Sequence, residues 1–253
     1  ALLRLVARPK FARTALVEFN SLDDASKAVN AILRAGIVPA TLELMDQTAI
    51  VCVEEAMHLG LATDLEASLI VETDGSDEAT VLREIEAAVQ ICRDTGARSA
   101  RVAQSEAERA ALWRARRSIS PSLGRRAPNK LGEDITVPRS AIPEAARRLR
   151  AISQKHGLPI VIFGHAGDGN LHPTILTDKR NKEEWHRVES AIDAIFDKAL
   201  SLGGTLSGEH GIGLAKAGYL EKETSRGTML YSRRIKAALD PKGILNPGKI
   251  IGE

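Results

Sequence analysis

One punctuation pattern occurs twice in the first hundred residues, and it narrows the possible folds more than any other feature. A β-prone run at 14–19 is followed by Ser21 as a helix cap, an acidic-start helix at 22–33, a stop at Gly36 and a second strand at 37–44. The order returns with a strand at 68–73, a helix capped by Ser76 that runs to about Cys92, a stop at Gly96 and a strand at 98–103. A third unit has a strand at 135–137, a helix at 138–155, Gly157 and a strand at 159–163. Each helix has an apolar stripe that must be covered, and the strands it joins are the nearest cover. The pattern therefore predicts an α+β fold of ferredoxin-like repeated βαβ units, forming a largely antiparallel sheet with helices packed on one face. Further helices are expected at 179–202, where Trp185, Val188, Ile192, Ile195, Phe196 and Ala199 recur at helical spacing, and at 229–239. No low-complexity linker interrupts the chain, so one continuous domain is expected.

Composition removes several function classes. The 253 residues are 43% hydrophobic, yet no apolar run reaches the roughly 20 residues of a membrane span. Lys plus Arg number 35 against 33 for Asp plus Glu, and aromatics are only 3%, so neither a basic footprint nor a base-stacking platform for nucleic acid is present. Cys52 and Cys92 lack any ligand spacing and read as reduced core residues of a cytosolic protein.

The chemistry is concentrated in two glycine-rich stretches. In Phe163-Gly-His-Ala-Gly-Asp-Gly-Asn-Leu-His172, Asp168-Gly169 is the signature of a two-residue type I′ turn. With that turn His165 opposes His172, with Cβ atoms about 4.5–5.5 Å apart, and both imidazoles can reach one divalent cation. Gly164, Gly167 and Gly169 are expected to clear space for a ligand beside this clamp. In Gly203-Gly-Thr-Leu-Ser-Gly-Glu-His-Gly-Ile-Gly213, glycines fence an adjacent carboxylate and imidazole. Glu209 is the third candidate ligand, and a His/His/carboxylate set with open positions suits a catalytic metal. His210 is then a free imidazole suited to general-base work. Upstream, Arg116 and Ser120 stand four apart on an expected helix, hence on one face, and Lys130 adds a nearby cation for an anionic substrate.

These motifs resemble the C-terminal domain of flavin-linked 2-hydroxy-acid oxidoreductases, a family that includes the glycolate oxidase flavin subunit, D-lactate dehydrogenases and D-2-hydroxyglutarate dehydrogenase. The resemblance covers nearly the whole chain and rests on Trp113 to Arg116, Glu133-Asp-Ile-Thr-Val-Pro138, Gly164 to His172, Ser207 to Gly211 and Asp240-Pro-Lys-Gly-Ile-Leu-Asn-Pro-Gly-Lys249. It implies that His165, His172 and Glu209 hold the metal and that His210 is the base. It further implies that Arg116 binds the substrate carboxylate, assisted by Ser120, and that Asn246 and Gly248 touch the cofactor. The chain departs from the family pattern in the spacing of Lys130 from Asp134 and in Pro173-Thr174, where the hydroxyglutarate enzymes place a substrate-contacting asparagine.

The implied cofactors are FAD, bound mainly by a domain absent from these residues, and a divalent metal, with zinc first and manganese or iron as alternatives. The implied division is a remnant of the flavin domain's last strand at 1–12, a substrate or cap domain at 13–239, and a tail at 240–253 that docks on the flavin domain. Implied partners are a small 2-hydroxy acid, the flavin domain and an iron–sulfur electron-transfer protein, and a homodimer is compatible. The expected location is cytoplasmic, reaching the inner membrane peripherally through electron-transfer partners. Read without the resemblance, the same residues also fit a metal-dependent hydrolase or a non-catalytic binding module.

Overall fold

The computed structural model describes residues 2–251, so Ala1 and residues 252–253 of the two expected terminal segments lie outside it. Strands β1 (Phe11–Phe19), β2 (Thr41–Asp46), β3 (Ala67–Gly75) and β4 (Ala97–Val102) alternate with helices α1 (Leu22–Arg34), α2 (Gln47–Met57) and α3 (Glu78–Asp94). They lie in the order β4-β1-β3-β2 with every pair antiparallel, which is the ferredoxin-like arrangement expected from the repeated punctuation. Ser21 caps α1 by accepting from Asp24 N–H; for α3 the cap is Asp77, one residue later than Ser76.

The rest of the chain contributes β5 (Asn129–Gly132), β6 (Ile135–Thr136), β7 (Ile160–Val161), β8 (Phe163–His165), β9 (Asn170–Leu171) and β10 (Thr174–Thr177). Its helices are α4 (Glu106–Arg117), α5 (Ile119–Arg126), α6 (Ile142–His156), α7 (Lys182–Ser201), α8 (Leu220–Glu223) and α9 (Arg226–Leu239). The first sheet continues from β2 through β8 and β9 to β6, making seven strands; β5, β10 and β7 form a second sheet. None of the described helices is long and apolar enough to cross a membrane.

Four expectations change. The second strand begins at Thr41, after Pro39, whose ring removes a ladder donor. The strand expected at 159–163 is divided at Ile162, whose N–H donates to Asp46 Oδ2 at 2.9 Å while its carbonyl accepts from Asp46 N–H at 2.9 Å. Asp46 thereby ends β7 in one sheet and starts β8 in the other, so α6 leads out of the seven-stranded sheet and the third unit is no βαβ repeat. Residues 2–9 carry no regular secondary structure, and Leu2, Leu3, Leu5 and Val6 are exposed; a strand needs a partner, and none pairs with them among the described residues. Helices also cover both faces of the sheet. Ala15, Val17, Leu42, Leu44, Leu69 and Val71 face the larger core, and Leu16, Met45 and Ile70, alternating with them, face Leu112, Ala115, Ile119 and Leu123 of α4 and α5. Each fully buried Leu or Ile contributes roughly 1.5–3 kcal/mol, so both layers are substantial cores.

Glu43 and Glu72 lie on the same face as Met45 and Ile70, directed toward α4. Glu72 accepts from Thr14 Oγ1, from Arg109 Nε at 3.0 Å and from Trp113 Nε1 at 2.8 Å. Glu43 accepts from Arg116 Nε at 2.7 Å. Two buried carboxylates on the sheet thus fasten the helix that carries Trp113 and Arg116, since each anion needs donors that water no longer supplies.

Asp46 also caps α2 through Ala49 N–H, yet burial pushes its carboxyl up to about 7 against these backbone donors. A carboxyl that ionises less readily in the folded chain binds protons preferentially there. Its contribution to stability is therefore full below the unfolded value of about 4 and declines as pH rises toward 7. Denaturant titrations of wild type and Asp46→Asn are expected to show wild type losing stability relative to the variant between pH 4 and 7.5. A pH-independent gap would contradict this assignment.

Candidate metal and substrate site

The glycine-rich hairpin forms in a register different from the expected one. Gly164 pairs with Leu171 and His165 with Asn170, and residues 166–169 form the loop, with Asp168 N–H donating to the His165 carbonyl and Gly169 N–H to that of Ala166. His165 and His172 are therefore diagonal neighbours and not directly opposed. They nevertheless share a face, because the register differs from the expected one by two residues, and only an odd shift would turn one side chain away. Their rings meet edge to face, with centroids 5.3 Å apart. The expected ligand space around the glycines is also absent at two of them: a Cβ at Gly164 or Gly169 would meet neighbouring backbone at 2.4 or 2.1 Å. These glycines let strands and turn approach closely.

Glu209 and His210 arrive on the loop after Leu206, outside helix and strand. One buried oxygen, Asp134 Oδ2, holds this loop by accepting from Ser207 Oγ at 2.8 Å and from the N–H groups of Gly208, Glu209 and His210 at 2.9, 3.0 and 2.8 Å. Burial opposes ionisation of Asp134, but these donors hold its carboxyl down at about 2. Lys216, itself buried, donates from Nζ to the Asp134 and Leu206 carbonyls and closes the far side of the loop.

Held in this way, Glu209 Oε1 lies 3.4 Å from His165 Nε2 and 3.3 Å from His172 Nε2. Ligand atoms from the three residues all fall within 4.8 Å of one another. Two donors about 2.1 Å from one cation at tetrahedral or octahedral angles are themselves about 3.0–3.4 Å apart, so the donor set fits a divalent metal. Glu43 Oε1 lies 2.5 Å from His165 Nδ1, which directs Nε2 toward the same point. Burial disfavours charge on Glu43, yet the hydrogen bond with His165 and the charge of Arg116 outweigh it and keep the carboxyl below its ordinary value. The Glu43 bond in turn raises His165, whereas burial and the neighbouring His165 push His172 down to about 4, leaving it neutral at pH 7 as a ligand must be. His210 stacks on His172 at 5.3 Å and 11°, with Nε2 4.0 Å from Glu209 Oε1, and its side chain is 59% exposed.

A cavity of about 450 Å³ opens beside these groups and is lined by Arg116, Ser120, Lys130, His165, His172 and His210. Arg116 and Ser120 do not share a helix as expected. Pro121 lacks an N–H and its ring crowds the carbonyl of Arg117, the last residue of α4, so Ser120 belongs to α5. Both still reach the cavity. The Arg116 guanidinium sits over the Phe163 ring, 5.2 Å from its centroid, and Lys130 Nζ donates to Ser120 Oγ at 2.5 Å and to its carbonyl at 2.6 Å. Asn246 and Gly248 do not line this cavity. They occupy the exposed tail with positive φ, in a stretch held by Asp240, which accepts from Ile244 and Leu245 N–H, and by Ile250 N–H donating to the Gly213 carbonyl.

The sequence reading missed Glu43 and Asp134 as site residues. Glu43 had a faint signal, a carboxylate alternating with leucines in the run Thr-Leu-Glu-Leu-Met; Asp134 stood in the Glu133–Pro138 motif, but nothing local marked its hold on a loop more than 70 residues away.

Residues 8–250 match the family described as FAD linked oxidases, C-terminal domain. The chain is 44% identical over 253 residues to the glycolate oxidase subunit GlcD of Bacillus subtilis, covering 100% of this chain and 54% of that protein. It is 31% identical over 253 residues to the probable mitochondrial D-lactate dehydrogenase of Danio rerio, covering 99% and 50%. It thus spans about half the length of these curated relatives. Among solved structures, p-cresol methylhydroxylase with substrate bound shares the fold, with a TM-score of 0.72 at 14% identity over 97% of this chain and 54% of that one.

Glu43→Ala would leave two cationic or hydrogen-bonding partners, Arg116 and His165, without their common acceptor. Breaking a buried pair from one side costs about 3–5 kcal/mol, and a loss of that size is expected in the denaturant unfolding of the variant. A loss below about 1 kcal/mol would show that Glu43 does not anchor α4.

Proposed function

The chain belongs to the family of FAD linked oxidases, C-terminal domain, and from that premise we propose that it forms the substrate- and metal-binding part of a flavin-dependent dehydrogenase. The substrate class is a small D-2-hydroxy acid of the glycolate or D-lactate type, oxidised to the 2-oxo acid. The observation that carries this reading is the convergence of His165 Nε2, His172 Nε2 and Glu209 Oε1 beside a stacked, unligated His210 and a cavity lined by Arg116.

His165, His172 and Glu209 would hold the divalent metal, zinc first with manganese or iron as alternatives. A bound ion would supply Lewis acidity toward the substrate hydroxyl, and a flavin, held mainly by a different domain with Asn246 and Gly248 contributing from this one, would supply the hydride acceptor. Arg116 binds the substrate carboxylate and, braced by Glu43 and Phe163, keeps the reacting carbon in one orientation. Ser120 and Lys130, already hydrogen-bonded to each other, close the cavity on the α5 side and give it a cation for an anionic substrate. His210 takes the hydroxyl proton at a ring nitrogen, and its exposure lets that proton pass to water afterwards. An iron–sulfur electron-transfer partner, through which the protein would meet the inner membrane peripherally, completes the reading.

Elemental analysis together with flavin-dependent dye reduction by glycolate or D-lactate, in the flavin-containing protein, tests this. His210→Ala is expected to keep stoichiometric metal and lose about 10²–10⁴-fold in turnover, the usual worth of general-base catalysis. Unchanged turnover removes His210 from the reaction. His165→Ala is expected to lose metal and activity together; full metal retained in that variant breaks the ligand assignment. Metal-dependent hydrolysis by flavin-free protein would favour a hydrolase instead.

A further inference from the structure

Asp134 has 0% exposure, and its two oxygens have different surroundings. Oδ2 accepts all four donors from Ser207, Gly208, Glu209 and His210. Oδ1 has no hydrogen-bond partner among the described residues, and neither does the buried His172 Nδ1, which lies 3.8 Å away. Two buried polar atoms rarely stay unpaired, and closing this gap by under an ångström makes a hydrogen bond. A carboxylate can only accept, so the proton of that bond has to sit on His172 Nδ1. The opposite nitrogen, Nε2, is the one that points at Glu209. Gly208 permits the loop to come this close, since a Cβ there would meet Thr136 Oγ1 at 2.4 Å and Asn170 Cγ at 2.7 Å.

We propose that Asp134 is the positioning residue of the metal site. Its Oδ2 sets the backbone that carries Glu209 and His210, and its Oδ1 holds His172 in the Nδ1–H tautomer that leaves Nε2 open to a cation. This rests on the metal reading above and adds to it the residue that makes the ligand set competent. Glu43 does the corresponding work for His165, so each histidine is held from behind by a different buried carboxylate.

The substitution Asp134→Asn separates this role from mere packing. Four donors converge on Oδ2, so the amide oxygen must take that place and the amide NH₂ must take the place of Oδ1. A donor then faces His172 Nδ1, which must accept, and the ring proton moves to Nε2, where it blocks the cation. The measurement is a long-range ¹H–¹⁵N correlation spectrum of the metal-free chain, labelled at its six histidines, at pH 7, with His172 assigned by its loss in His172→Gln. Wild type is expected to show the Nδ1–H form and a folded Asp134→Asn the Nε2–H form. Zn²⁺ affinity, read by competition with a chelating dye, is expected to fall about 10–100-fold in the variant. An Nε2–H ring in wild type overturns the proposal even if the variant does not fold, and so does an unchanged tautomer in a folded variant. If wild type binds no divalent ion, the metal reading falls, while the tautomer spectrum still decides what Asp134 does to His172.

Discussion

A carboxylate sealed from water has to find its solvent in the protein, and at Asp134 that requirement organises the site. The four donors gathered on Oδ2 come from a loop with no helix or strand of its own, so the anion substitutes for the missing ladder. In exchange, Glu209 and His210 are delivered at a defined place above the β8–β9 hairpin. Charge-assisted hydrogen bonds are roughly twice as strong as neutral ones, and several on one oxygen give a loop the rigidity that catalytic geometry needs. Lys216 reinforces the same point by closing on the Asp134 carbonyl from the other side.

Glu43 has a similar logic on the opposite flank. It sits at the end of the ferredoxin-like half, in a strand that otherwise faces two cores, and it joins the two halves of the molecule chemically as well as by strand pairing. One of its oxygens meets His165 on β8 and the other meets Arg116 on α4. The candidate metal ligand and the candidate carboxylate binder are therefore indexed to the same side chain. Glu72, one strand away, anchors the same helix through Arg109 and Trp113. Buried ion pairs are costly for stability, because desolvation consumes much of the Coulomb gain. Their concentration on the face of the sheet that bears the cavity indicates geometric control as their use.

Much of this was legible in order along the chain. The alternation of strands, caps and glycine stops gave the antiparallel ferredoxin-like sheet, and the clustering of histidine, glutamate and glycine marked His165, His172, Glu209 and His210 as neighbours in space. The hairpin register differs from the one that the Asp168-Gly169 turn predicts, but an even displacement preserves the face, so the two histidines stay together. Arg116 and Ser120 reached one cavity for a reason other than the one their spacing suggested, since Pro121 ends the helix between them.

The split of the strand at 159–163, the second sheet and the roles of Glu43 and Asp134 were not legible. Local sequence determined which residues could cap, pair, turn or ligate, because those preferences depend on side chains within a few positions of one another. Tertiary structure alone decided which carboxylate meets which part of the site, because Glu43 and the His165 imidazole are separated by 122 residues, and Asp134 and the His210 backbone N–H by 76. A buried anion is matched to its donors only when the whole core closes around it, and no periodicity in the chain records that meeting.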